Sequence, residues 1–412
     1  MTAFGVISDA ILIAFYPQFF QLRYNIESPI HAGNYIAAIS IAVMCALPVW
    51  AKVATIIETM PMLLFTQLTA GVLGIASAFA PSLLSFWIIS LLMYMTKASY
   101  LLMFPYLMRL EKQEYHAHLV GLLSFIVHIT AIFAATIGGF SLQRFGPQFC
   151  VILMAIGDFI QMAICFYLIK ANKIAQTIHA STEHDSNEPT NKEIHNKDQK
   201  IIASNTSQLP SKKRPRSLWI SLLKLSLVML TFDFSAYLIR PFFSTYWEET
   251  TGILNRGLTG AIFAIPALAA LVGVFVNRLA SQGKLPALDN TLLNIALGAV
   301  GLGLQSLPSI EAIIFGRFLF GWGMFQMIVK LEVKLFKISS PEYYARDFSV
   351  ANFFQNLGVL LSSFSAGYIV NFIGIQQTFV IAALGFLLTA IIDRIFFSTV
   401  QAQEKGDSTN AV

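Results

Sequence analysis

Asp9-Ala10-Ile11-Leu12-Ile13-Ala14-Phe15-Tyr16-Pro17-Gln18-Phe19 and Asp233-Phe234-Ser235-Ala236-Tyr237-Leu238-Ile239-Arg240-Pro241-Phe242-Phe243 are one pattern written twice. Each reads acid, seven residues, proline, one residue, phenylalanine, and the two copies lie 224 residues apart. The same offset places Gly33 on Gly257. An offset of 228 then matches Glu114-Tyr115-His116-Ala117 with Glu342-Tyr343-Tyr344-Ala345, Gly139-Phe140 with Gly367-Tyr368, and Gly146 with Gly374. So small a drift is what unequal loops produce between two copies of one fold.

Composition says where the copies reside. Of 412 residues, 56% are AVILMFWYC and 12% are charged, against roughly 25% charged in an average soluble domain. Phe occurs 35 times and the mean hydropathy is +0.66. No soluble fold hides that much apolar surface, so most of the chain sits in lipid. This excludes nucleic-acid binding as the meaning of the +5 charge and the pI near 9.0. Cys45, Cys150 and Cys165 lie in apolar runs and offer neither a disulfide framework nor a metal-ligand spacing.

A crossing helix needs about 20 apolar residues, and about twelve runs qualify. They cover 2–22, 33–50, 60–80, 83–107, 118–142, 148–169, 222–245, 257–277, 287–307, 311–336, 347–371 and 375–397. The first run has no basic residue before it and carries Asp9, so it reads as a retained helix and not a cleaved signal. Residues 170–217 hold the polar stretch Ser181 to Pro189 and the basic cluster Lys212-Lys213-Arg214-Pro215-Arg216. That composition cannot order itself. The expected division is a six-helix half over 1–169, a linker over 170–217, a second half over 218–400 and a tail over 401–412. Loops after even-numbered spans carry Lys52, Arg109, Lys112, nine basic linker residues, Arg278, Lys284, Lys337 and Arg346. Loops after odd-numbered spans carry Arg23, Arg144 and Arg256. Both termini and the linker therefore belong in the cytoplasm.

Parallel six-helix halves joined by a long linker resemble the major facilitator superfamily of secondary transporters. That resemblance implies an all-α membrane protein of twelve transmembrane helices, working as a monomer on a small-molecule substrate that binds between the halves at mid-membrane. The superfamily's loop motif Gly-x-x-x-Asp-Arg-x-Gly-Arg is nearly absent: the loop reads Pro48-Val49-Trp50-Ala51-Lys52-Val53-Ala54-Thr55, and its second copy keeps Asn277-Arg278 and Gly283-Lys284. Ala134-Ala135-Thr136-Ile137-Gly138-Gly139 stands for the antiporter motif of helix 5 without its proline.

No nucleotide-cradling loop, cofactor motif or metal-ligand spacing occurs, so neither catalysis nor ATP-driven pumping is expected. The information lies in ionisable residues inside spans, each costing about 2.5–3.5 kcal/mol at a helix centre. Asp9 and Asp233 occupy matching points of helices 1 and 7 and are the proton-coupling candidates; the bland alternative is a buried structural carboxylate. Lys97, Arg240, Arg317, Lys330 and Lys334 lie in helices 4, 7 and 10, which line the cavity under the resemblance. Cations converging there attract a carboxylate or phosphate, and Arg captures carboxylates with two hydrogen bonds.

Lys97 and Lys330 show no local partner and are assigned to substrate. Arg240 shares a face with Asp233 and pairs with it in the bland reading. Lys334 is expected to snorkel, and Arg317 to snorkel or pair with Glu311. Gln326, His128, Gln161, Asn352, Gln355 and Asn356 are candidate cavity hydrogen-bonders, with an interhelical hydrogen bond as the bland alternative. Tyr94, Tyr100, Tyr106, Tyr237 and Phe242 are candidate stacking residues, with the filling of interhelical or lipid-facing space as theirs, and Gln326 and Tyr237 join Lys97, Arg240 and Lys330 as the substrate-binding set. Pro17 and Pro241 should kink helices 1 and 7.

The run Leu238 to Phe243 and the cationic lining look like those of bacterial inner-membrane transporters for carboxylate siderophores in iron acquisition. The sequence thus points to a proton-coupled symporter or antiporter of an organic anion. The competing readings are a multidrug-type exporter, a nutrient importer for amino acids or organic acids, and a receptor that no longer transports.

Overall fold

The computed structural model describes residues 1–54, 56–103, 106–107, 116–171, 216–286, 290–339 and 344–409. Arg109, Lys112 and linker residues 172–215 lie outside them. The first half contains α1 (Thr2–Ala10), α2 (Tyr16–Tyr24), α3 (Pro29–Val53), α4 (Thr59–Ala78), α5 (Leu83–Lys97), α6 (His116–Phe145) and α7 (Pro147–Lys170). The second contains α8 (Arg216–Tyr237), α9 (Phe243–Thr251), α10 (Arg256–Phe263), α11 (Ile265–Ser281), α12 (Thr291–Gln305), α13 (Ile310–Ile338), α14 (Tyr344–Phe372) and α15 (Ile375–Thr409). Among the described residues the secondary structure is helical throughout.

Among the described residues ten helical segments are long and apolar enough to cross a membrane. The other two expected crossings are the broken pair α1–α2 and the shorter α12, and together they account for twelve. Prolines cause the breaks. Pro17 sits in the first turn of α2, and just before it Ile13 N–H turns to the Ala10 carbonyl and Phe15 N–H to the Leu12 carbonyl. At the matching place in the second half, Arg240 N–H turns to Tyr237 and Phe242 N–H to Ile239 before α9 starts. A missing proline donor leaves the continuous ladder unmade, and the chain tightens to shorter-range bonds. Phe15 and Phe242, capping the two restarted helices, have closely similar backbones at φ −129°, ψ 15° and φ −117°, ψ 2°.

The halves also repeat in packing. In the first, α1 packs on α6 and α7, and α4 on α5 and α7. In the second, α8 packs on α14 and α15, and α12 on α13 and α15. Between them α3 meets α14, while α6 meets α10 and α11: one crossing made from either side. Gly146 and Gly374, equivalent under the second offset, both have positive φ, 87° and 115°, which a side chain would strain.

The turns at 25–28, 79–82, 146, 252–255, 306–309 and 373–374 gather at the end of the bundle away from the N-terminus, the far end. There the halves are tied together. Ser244 Oγ donates to the Ala14 carbonyl and, at 3.1 Å, to Gln18 Oε1, and Arg256 N–H donates to Gln143 Oε1 at 2.9 Å. Glycines let the backbones touch: a Cβ on Gly33 would stand 2.6 Å from the Ser363 carbonyl oxygen, and one on Gly139 or Gly260 would strike the carbonyls of Arg256 or Ala135.

Candidate functional site

Beneath this closed end lies a chamber of about 200 Å³ between the halves. Asp9, Ile13 and Tyr16 border it from the first span, and Ile36, Ile39, Ser40 and Val43 from α3. Tyr94, Lys97, Ala98, Tyr100 and Leu101 come from the end of α5 and the tight 3-10 turn Ala98–Leu102 that follows it. Tyr237, Arg240, Pro241, Val359 and Ser363 complete the wall from the second half.

Lys97 is buried to 1% exposure and has partners, contrary to the expectation from its sequence surroundings. Its Nζ lies 2.9 Å from Asp9 Oδ1 and 3.0 Å from Asp158 Oδ1, and donates to Ser8 Oγ at 2.5 Å. Ser8 Oγ in turn donates to Asp158 Oδ1 at 2.9 Å. Desolvating an ammonium costs several kcal/mol unless carboxylates and hydrogen bonds surround it, and helices 1 and 6 bring both carboxylates to helix 4. Asp158 was missing from the sequence candidates. The signal was present, since an aspartate inside the apolar run 148–169 carries the same insertion cost as Asp9. Gln161 Nε2 reaches Asp158 Oδ1 at 3.4 Å.

Arg240 does not pair with Asp233. The break at residues 238–242 ends the helical register on which their shared face depended. Among the described residues no carboxylate lies within ion-pair distance of Arg240, and its guanidinium sits over the Tyr237 ring, 5.1 Å from the centroid. Asp233 stays inside the second half at 4% exposure, hydrogen-bonded to Gln355 and packed near Gly358, away from the chamber lining.

Helix 10 departs further from expectation. Gln326 exchanges two hydrogen bonds with Asn277, at 3.0 and 3.1 Å, so its amide is engaged. Lys330 lies on α13 outside the chamber lining. Lys334 pairs with Asp393 at 2.6 Å and lies over the Phe397 ring, where snorkelling was expected. Arg317 neither snorkels nor meets Glu311. It is buried over the Phe243 ring, its Nε donating to the Ile262 carbonyl at 2.9 Å and an Nη to the Phe263 carbonyl. Pro266 has no N–H for the Ile262 carbonyl, and Ala267 N–H is given to Ala264, so this arginine caps the acceptors of a broken helix.

Among the remaining candidates, Tyr16 and Tyr94 join hydroxyls at 2.6 Å on the chamber wall. The His128 ring lies against Phe325, 6.1 Å between centroids, and Asn356 donates to Asn352. Phe242 is packed in the core, and Tyr106 packs beside Met60, Leu63 and Cys165. The site is therefore an apolar, tyrosine-rich chamber with a lysine held between two carboxylates on one wall and an arginine on the other.

The profile of the Major Facilitator Superfamily matches residues 1–304. Solved structures that share the fold include two transporters. A bacterial homologue of the human lysosomal transporter Spinster, in an inward-facing and occupied conformation, superposes with a TM-score of 0.70 at 12% identity, covering 97% of this chain and 95% of that one. The nucleoside transporter NupG, solved as a point mutant, gives 0.66 at 12% identity, with 96% and 98% covered. No curated protein sequence matches the chain.

Proposed function

The chain belongs to the Major Facilitator Superfamily, and on that footing we propose that it moves an organic anion across the bacterial inner membrane by alternating access, coupled to protons. It is a multi-pass membrane transporter. The observation carrying the anion assignment is Arg240: a guanidinium on the chamber wall with no carboxylate within ion-pair distance among the described residues, stacked on Tyr237. A lone cation in an apolar wall costs free energy that a visiting carboxylate offsets. On the opposite wall Lys97 is held by Asp9 and Asp158, which outweigh its charge when both are ionised, so Arg240 is the cation left to meet an anion.

Asp9 is the coupling group favoured by position. Its side chain is 31% exposed, borders the chamber and touches Lys97, so a proton can reach it from the medium. Asp233, off the lining, is the second candidate. The distribution of basic residues puts the termini in the cytoplasm, which makes the closed far end the outer face and the chamber inward-facing. Carboxylate siderophores are one class of organic anion that such a carrier serves.

Membrane vesicles of both orientations test this with labelled organic acids. Flux is expected with the wild type and lost in Arg240→Ala at unchanged abundance. Wild-type flux in that variant, or transport of cationic drugs in preference to anions, contradicts the assignment.

A further inference from the structure

We infer that the passenger is an amphipathic monoanion, with one acid group on an aromatic or branched apolar body, and that it travels electroneutrally with one proton. This rests on the organic-anion reading and narrows it. Lys97 faces two carboxylates, Asp9 at 2.9 Å and Asp158 at 3.0 Å, so with both ionised the first wall carries one net negative charge. Asp158 Oδ2 is buried without a hydrogen-bond donor among the described residues, so the cluster has fewer donors there than two carboxylates need. Arg240 gives the second wall one positive charge. The empty chamber is thus neutral. A proton on Asp9 balances the first wall and leaves Arg240 alone, and a single negative charge on the passenger restores neutrality.

No other charge faces the cluster among the described residues. Ser8 comes from α1, Tyr94 and Tyr100 from helix 4, Gln161 from α7, and Tyr16 from the start of α2. His128 of α6 lies against Phe325 instead. Most of the rest of the wall, Ile13, Ile36, Ile39, Val43, Leu101 and Val359, is branched and apolar, and Ser40 and Ser363 add hydroxyls but no charge. Such a surface desolvates any second or third carboxylate without pairing it, a cost of several kcal/mol per charge. Rings and branched chains are what it receives well.

Reconstituted liposomes test this with p-toluenesulfonate, which stays ionised and does not cross lipid unaided. Beside it are run 1,3-benzenedisulfonate, citrate, neutral toluenesulfonamide and the cation phenyltrimethylammonium. An outside-acid gradient should drive monosulfonate uptake, and clamping the membrane potential should leave the rate unchanged. Asp9→Asn should remove the response to the pH gradient, and Arg240→Gln should cut uptake by more than about tenfold. Monosulfonate uptake at the protein-free rate, faster uptake of citrate or the disulfonate, or a flux that follows the membrane potential overturns the inference. In the citrate, disulfonate and potential-dependent cases organic-anion transport still stands. Preference for the amide or the cation removes both.

Discussion

Lys97 and Arg240 are cations in the same chamber with opposite dependencies. Lys97, 1% exposed, is the only described cation holding Asp158, which is wholly buried. Removing one partner of a buried pair strands the other at about 3–5 kcal/mol. Lys97→Met should therefore lower membrane abundance and melting temperature, and adding Asp158→Asn should restore both; a single variant as stable as wild type would show that the pair does not support the fold. Arg240→Ala strands no carboxylate, so abundance should hold while anion affinity falls by roughly thirtyfold or more, the effect of about 2–5 kcal/mol for a truncated charge pair. Titration of the purified variants checks this. The sequence offered both cations by their insertion cost, but their partners were not readable from it. Lys97 meets carboxylates from spans 1 and 6, and no local spacing encodes such a meeting.

Among elements, the prolines were legible and their consequences partly so. Pro17 and Pro241 signalled kinks, yet only the structure shows complete breaks with matched turns. Pro266 frees carbonyls that Arg317 collects, and a scan of charges could not anticipate an uncharged partner. The far-end glycines carry the next prediction. In Gly260→Ala the new methyl meets the Ala135 carbonyl where α10 crosses α6, so the far end cannot close as it does here. A cysteine placed at Ser244, buried in the closed state, should then react faster with a membrane-impermeant maleimide. Equal reactivity in the two backgrounds would mean that this crossing is not a gate.

At the scale of the molecule, the duplicated frame is symmetric and its chemistry is not. Twelve crossings, two halves and the equivalence of α3 with α10–α11 follow from offsets visible in the sequence, because packing faces and turn glycines must repeat where the fold repeats. The site diverges because only one copy of each wall needs a given charge. Asp9 fronts the chamber beside Lys97, whereas Asp233 is buried against Gln355. Asp9→Asn should consequently let anions move without response to a pH gradient, and Asp233→Asn should keep that response; the reverse pattern in liposome flux would transfer coupling to the second half. The most direct measurement is a structure of the protein soaked with 4-bromobenzoate, read by bromine anomalous scattering. A bromine peak inside the chamber, with the carboxylate on Arg240 and the ring against Tyr237, is the predicted result. Bromine confined to the lipid-facing surface, with the chamber empty at saturating ligand, would contradict it.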